Sequence, residues 1–401
     1  MARKKQSPAL SVLKTQREID ALCETCREEK RCAFDTEFVM EDRYESEVCL
    51  IQVATEHTVA LIDPFQDLNL APIWRLVSEP KIETIVHAGQ EDLALAVQHT
   101  GDVPKNIFDV QITAGLVGLD YPISLQRLVL ATLHLRLHKS KTLTDWRRRP
   151  LSDDQLRYAA EDVIHLHAVR KYIGKKLTEL QRVEWAGEEL RRFEDISFYR
   201  RVEEDKISRV KGAGSLNGRQ LAAVRELMQW RERFAQRLNR PARVVLKDHL
   251  LVEIAKHGMT EFAEVRSLRG INLSDRDVHS LCRAVKKAGT LKEAEWPKPK
   301  PRVNETPGEG ALAALATAVV RGYCLENKVA FGLATTQKAI KDLIRCHEGT
   351  GDRNGAEILQ GWRGKTIGKL VDDVLAGNRN VVVGRVDNTP VVLTSPRKKG
   401  G

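Results

Sequence analysis

Residues 32–38 read Cys-Ala-Phe-Asp-Thr-Glu-Phe, an apolar run interrupted by two acids two positions apart. Alternation along a strand puts residues i and i+2 on one face, so Asp35 and Glu37 stand side by side while Phe34 and Phe38 pack on the other. Two like charges on a strand that otherwise reads as core are costly unless something neutralises them. Divalent cations such as Mg2+ and Mn2+, which prefer oxygen ligands, do so well. The alternative is an edge strand with solvated acids, and the flanking apolar residues argue against it.

Two more runs rich in β-branched and apolar residues follow, at 48–55 and 58–62. The pattern then changes to a short helix at 72–77, a strand at 84–87, a helix at 91–99 and a short strand near 107–110, with helical segments to about 200. Three consecutive strands followed by alternating strands and helices predict an α/β fold with a mixed sheet and flanking helices. From 207 to 290 the strand signal disappears. Leu221, Val224, Leu227, Met228, Phe234 and Leu238 recur at helical spacing and Pro241 ends the run. Further helices are predicted at 250–256, 260–268 and 275–287, the last capped by Ser274. Prolines and charges at 291–310 mark a linker. The remainder reads as helices at 311–326, 336–346 and 366–376, a small hairpin around Asp387-Asn388 and a basic tail. The expected division is therefore 1–205, 206–290, a linker at 291–310, and 311–401.

The chain has 401 residues and a net charge of +10. A basic excess draws polyanions, which makes nucleic acid the first partner to consider. No stretch approaches the roughly 18 consecutive apolar residues of a membrane span. The basic N-terminus has no apolar core behind it, so a cytoplasmic location and no membrane association are expected. Seven scattered cysteines do not form a disulfide framework. Cys23 and Cys26 lack a second ligand pair and read as two half-buried thiols on one helix face.

Two other motifs bear acids. His87-Ala-Gly-Gln-Glu-Asp92 lies at a step from strand to helix, where open α/β sheets place ligands. Acids also favour helix N-termini for dipole reasons alone. Tyr158-Ala-Ala-Glu-Asp162 lies within an apparent helix over 152–172 with Ser152 as N-cap, which puts Tyr158 and Asp162 on one face.

In order and joint spacing the three motifs resemble the tyrosine-bearing branch of the DEDD exonuclease superfamily, and within it the ribonuclease D family. The matching residues are Asp35-x-Glu37 with Phe38, His87 followed by Asp92, and Tyr158-x-x-x-Asp162. The sister branch carries His five positions before the final acid, where this chain has Arg157. Leu50-Ile-Gln-Val-Ala resembles the family's second strand, and Lys139-Ser-Lys-Thr-Leu-Thr-Asp-Trp resembles the stretch before its third motif. Val210-Lys-Gly and Leu216-Asn-Gly-Arg-Gln-Leu make 206–290 resemble an HRDC nucleic-acid-binding domain. The 311–401 unit resembles a second HRDC-like domain more loosely, and its hairpin is a departure from that likeness.

The resemblance implies an RNase H-like nuclease domain followed by two small, mostly helical HRDC-like domains. It implies a 3′-5′ exoribonuclease that releases nucleoside 5′-monophosphates and uses two divalent cations, Mg2+ or Mn2+. Asp35 would bridge both cations, Glu37 and Asp162 would complete the one carrying the attacking water, Asp92 would hold the other, and Tyr158 would orient the water. His165 and His167 are read as supporting residues. The implied nucleic-acid contacts are Phe38, Gln52, His87, Lys139 and Lys141, with Arg147–Arg149 close by. The implied substrate is RNA with a single-stranded 3′ end, above all tRNA precursors, with no obligate protein partner. The alternatives are a DNA 3′-5′ exonuclease acting in repair and a catalytically inactive RNA-binding scaffold. No GxxxxGK[ST] phosphate loop is present to indicate a helicase.

Overall fold

The computed structural model describes residues 9–39, 44, 46–138, 144–199, 207, 210–299 and 305–396. They form two compact units, one from the described parts of 1–36, 50–195 and 304–401, the other from those of 37–49 and 196–303.

The chain carries a six-stranded mixed sheet in the order β1-β4-β3-β2-β5-β6, most of it in the first unit. Its strands are β1 (Ala9–Leu13), β2 (Arg31–Val39), β3 (Glu47–Ala54), β4 (Thr58–Ile62), β5 (Glu83–Val86) and β6 (Ile107–Asp109). β3 and β4 are antiparallel, with Ile51 opposite Ile62, while β2, β5 and β6 run parallel. Residues 48–54 of β3 are buried without alternation, as in a strand covered on both faces. β1, absent from the sequence-based reading, adds an edge parallel to β4.

Helices flank this sheet: α1 (Gln16–Glu29), α2 (Ala71–Leu76), α3 (Gln90–Thr100), α4 (Val110–Gly115), α5 (Leu125–Leu133), α6 (Asp153–Ile164), α7 (Leu166–Glu179) and α8 (Val183–Leu190). Cys23 and Cys26 on α1 are fully buried rather than half-buried. The Cys32 hydrogen bond, and then burial, raise the Cys26 thiol well above the ordinary range, and burial raises that of Cys23. The helix expected over 152–172 is two helices. Ser152 caps α6 in a capping box with Gln155, and the ladder is interrupted at His165, whose φ of −97° and ψ of −8° lie at the edge of the right-handed region rather than at ideal helical values. Apolar spacing continues across that break, so periodicity does not register it.

Residues 305–396 belong to the same unit and close on α8. They contain the helices Pro307–Glu326, Gln337–His347 and Lys369–Leu375 and an antiparallel hairpin, β7 (Arg379–Val386) and β8 (Thr389–Pro396). Asp387 and Asn388, at φ 45° and 64°, make its two-residue turn, as their types favour. A Cβ on Gly322 would lie 1.7 Å from the Val392 carbonyl oxygen, so glycine allows the hairpin to pack on the first of these helices. The Trp185 and Trp362 rings stack at 4.6 Å. Buried Glu189 accepts from Trp362 Nε1 at 2.7 Å and Arg192 Nη2 at 2.9 Å, and pairs with Arg363. Arg182 Nη1 donates to the carbonyls of Leu116 at 2.6 Å and Lys328 at 2.8 Å.

Removing one partner of a buried, hydrogen-bonded ion pair leaves the other charge uncompensated. Glu189→Ala is therefore expected to cost about 3–5 kcal/mol. Equilibrium denaturation measures this, and a loss below about 1 kcal/mol would contradict the account.

The second unit is helical. Asn217 and Gln220 form a capping box at the start of the 21-residue helix Gly218–Leu238, which ends with Asn239 in the left-handed region before Pro241. Ser274 caps Asp275–Gly289 as its sequence signals. Between them run Asp248–His257 and Phe262–Arg266. Trp230, Phe234, Leu251, Ile254, Val278 and Leu281 form the core.

Candidate active site

Asp35 and Glu37 are half-buried on β2, while Phe34 and Thr36 between and beside them are buried, as strand alternation dictates. Phe34 meets Trp74 of α2 edge-on at 5.8 Å. Asp162 arrives from the last turn of α6. Asp35, Glu37 and Asp162 each offer a carboxylate oxygen, and these oxygens lie within 4.8 Å of one another. Among the described residues this is the one group of three or more acidic, histidine or cysteine side chains close enough to share a cation. An all-oxygen donor set of this kind suits a hard divalent cation. Tyr158, one turn before Asp162, hydrogen-bonds to its carboxylate. The Trp146 ring flanks Tyr158, with centroids 6.0 Å apart.

Asp92 lies in the first turn of α3 and is 7% exposed. It falls outside the group of three, yet is near enough to act on Asp162 electrostatically. It accepts a hydrogen bond from the Thr36 hydroxyl through Oδ1. Burial pushes its carboxyl up to about 6 against the opposing Thr36 bond. Asp162 is pushed up to about 7, first by burial and then by Glu161 and Asp92, with Tyr158 opposing.

Both raised groups bind protons in the folded protein that the unfolded chain releases above about pH 4. Stability gained from them is complete below that pH and falls as pH rises through 6 and 7. The cation-free protein is thus expected to melt at a higher temperature at pH 5 than at pH 8, with a smaller decline in Asp162→Asn. Equal declines in the two proteins would contradict the assignment to Asp162.

A residue that sequence reasoning missed sets the step into α3. Asp109, 1% exposed at the end of β6, accepts from Gln111 N at 2.8 Å, and from Ala88 N and Gly89 N at 3.2 Å. It thereby holds Ala88 in the left-handed region at φ 55° just before the helix that carries Asp92. A Cβ on Gly89 would come within 2.5 Å of Val86, so the turn requires glycine. Nothing in the local sequence signals a side chain that reaches back 20 residues.

The remaining sequence-derived residues fall differently. Phe38 is half-buried beyond Glu37. His87 is half-buried with Nε2 at 2.9 Å from the Ile123 carbonyl oxygen. Gln52, expected at the nucleic acid, is instead fully buried in β3 with neither amide atom hydrogen-bonded, because that strand is covered on both faces. Lys139 and Lys141 lie outside the described residues. Arg149 grips Asp63 through Nε at 2.6 Å and Nη2 at 2.8 Å, which makes it a structural clamp. His167 Nε2 stands 2.9 Å from the Ala54 carbonyl oxygen, a supporting position as expected.

The sheet, the acids and the helical unit define the class. Residues 10–178 match the 3′-5′ exonuclease family and residues 220–278 match the HRDC domain. The chain is 30% identical to the ribonuclease D of Gluconacetobacter diazotrophicus over 95% of each chain. It is 32% identical to that of Bartonella henselae over 88% of this chain and 87% of the relative. The crystal structure of Escherichia coli RNase D, described as an exoribonuclease involved in structured RNA processing, superposes with a TM-score of 0.77 at 26% identity, over 92% of this chain and 99% of that one. The chain belongs to the ribonuclease D family and is accordingly a 3′-5′ exoribonuclease.

Proposed function

We propose that the chain removes nucleotides one at a time from single-stranded 3′ ends of structured RNAs, tRNA precursors above all, and releases nucleoside 5′-monophosphates. The observation that carries this reading is the convergence of Asp35, Glu37 and Asp162 within 4.8 Å, with the Tyr158 phenol on Asp162. Asp35, Glu37, Asp92 and Asp162 would hold two divalent cations, Mg2+ or Mn2+, with Asp35 shared between them. Glu37 and Asp162 would complete the first, and Asp92 would hold the second through its water shell. Cations bound there supply Lewis-acid activation of the phosphate and of the attacking water, and neutralise charge on the leaving oxygen.

Tyr158 orients the attacking water. With an ordinary pKa near 10 a phenol is a poor base at neutral pH, so its contribution is positional. The water oxygen bonds to phosphorus as the bond from phosphorus to the 3′ oxygen breaks, and the RNA leaves one nucleotide shorter. Phe38 would stack on the terminal nucleotide, a contact that tolerates any base, while His87, Lys139 and Lys141 would hold the backbone.

The division into 1–205, 206–290, a linker at 291–310 and 311–401 belongs to the same reading. The first part cuts, and the two helical parts dock on the folded portion of the RNA. Among the described residues no helix is long and apolar enough to cross a membrane. A cytoplasmic site of action, with no obligate protein partner, completes the proposal.

A time course on a tRNA precursor with a 3′ extension tests it. With Mg2+ or Mn2+ the extension is expected to shorten stepwise to 5′-monophosphates. EDTA should stop the reaction and a restored cation should restart it. Equal degradation of DNA of identical sequence would favour the repair exonuclease, and binding without shortening would favour the inactive scaffold.

A further inference from the structure

Asp92 stands apart from the three converging carboxylates, and one neighbour decides where. Thr36 lies between the two acids of β2, but strand alternation turns it to the opposite face, on the side of Phe34 and Trp74. There its hydroxyl donates to Asp92 Oδ1. Thr36 is 6% exposed and Asp92 7%, so bulk water does little to orient that carboxylate. A β-branched side chain is stiff at χ1, so the strand itself fixes the direction of the donor.

We propose that Thr36 is a positioning residue for the second divalent cation: its hydroxyl pins Oδ1 of Asp92 and, with the backbone N–H groups of Thr36 and Asp92, fixes the rotamer in which the carboxylate engages that cation's water shell. The inference rests on the two-cation reading above. One strand then serves both halves of the site. Its outer face presents Asp35 and Glu37, and its inner face sets the acid that reaches in from α3. Valine keeps the shape of Thr36 and loses the donor, whereas serine keeps the donor and loses the stiffness.

Calorimetric titration with Mn2+ alone tests the assignment on the whole chain. Wild type should take up two ions. In Thr36→Val the weaker step should move about 10- to 100-fold to higher concentration while the stronger step stays in place. Thr36→Ser should remain close to wild type. The Mn2+ concentration needed for half-maximal 3′ trimming should rise in parallel, with the rate recovering at saturating Mn2+. In an Asp92→Asn background Thr36→Val should add nothing, because the residue acts through Asp92. Thr36→Ala takes the place of the valine variant if that protein fails to fold. Unchanged Mn2+ binding in the variant lacking the hydroxyl, or effects of the two substitutions that simply add, would overturn the proposal. Absence of any Mn2+ uptake by wild type would instead remove the two-cation reading beneath it.

Discussion

Asp35→Asn is expected to slow 3′ trimming by several orders of magnitude, about 10^4-fold or more in single-turnover measurements. Asparagine matches aspartate in size, so packing on β2 is kept. What changes is the charge at the centre of three carboxylate oxygens held within 4.8 Å of one another. A neutral amide is a weak ligand for a hard cation, and Asp35 is the residue proposed to serve both cations, so one substitution loosens the whole site. The same substitution should leave the cation-free protein as stable as wild type or more so, because it relieves repulsion among crowded like charges. Activity and stability thus move in opposite directions, which separates loss of the site from damage to the fold. Residual activity within about tenfold of wild type would mean that cation binding does not depend on Asp35.

Tyr158→Phe should lower kcat by about 100-fold on the alkaline plateau of the pH-rate profile, with KM and cation affinity nearly unchanged there. The ring and its contact with Trp146 remain, and only the hydroxyl is lost. Its hydrogen bond also draws the Asp162 carboxyl downward. Without it, the acidic limb of the pH-rate profile should move to higher pH, since Asp162 must be ionised to hold a cation. A large fall in cation affinity would make the phenol a support for the ligand Asp162 rather than an orienter of water. Unchanged turnover would leave it without a role in the chemistry.

The sequence by itself determined the features governed by near neighbours. Strand alternation placed Asp35 and Glu37 on one face, helical spacing placed Tyr158 with Asp162, Ser152 and Ser274 announced their helices, and Asp387-Asn388 announced a turn. The joint order of the three acidic motifs was enough to indicate the family, because those spacings reflect a fixed set of strand and helix steps. Tertiary structure alone decided which distant side chains support these. Thr36 and Asp92 are 56 positions apart, and Glu189 and Trp362 are 173 apart. Burial of Gln52 follows from strands and helices covering both faces of β3, and the break at His165 from backbone angles that leave apolar spacing intact. Periodicity records the direction a residue faces within its own element. The partner it meets there depends on how the elements pack, and that is set by the summed burial of the whole core rather than by any local run.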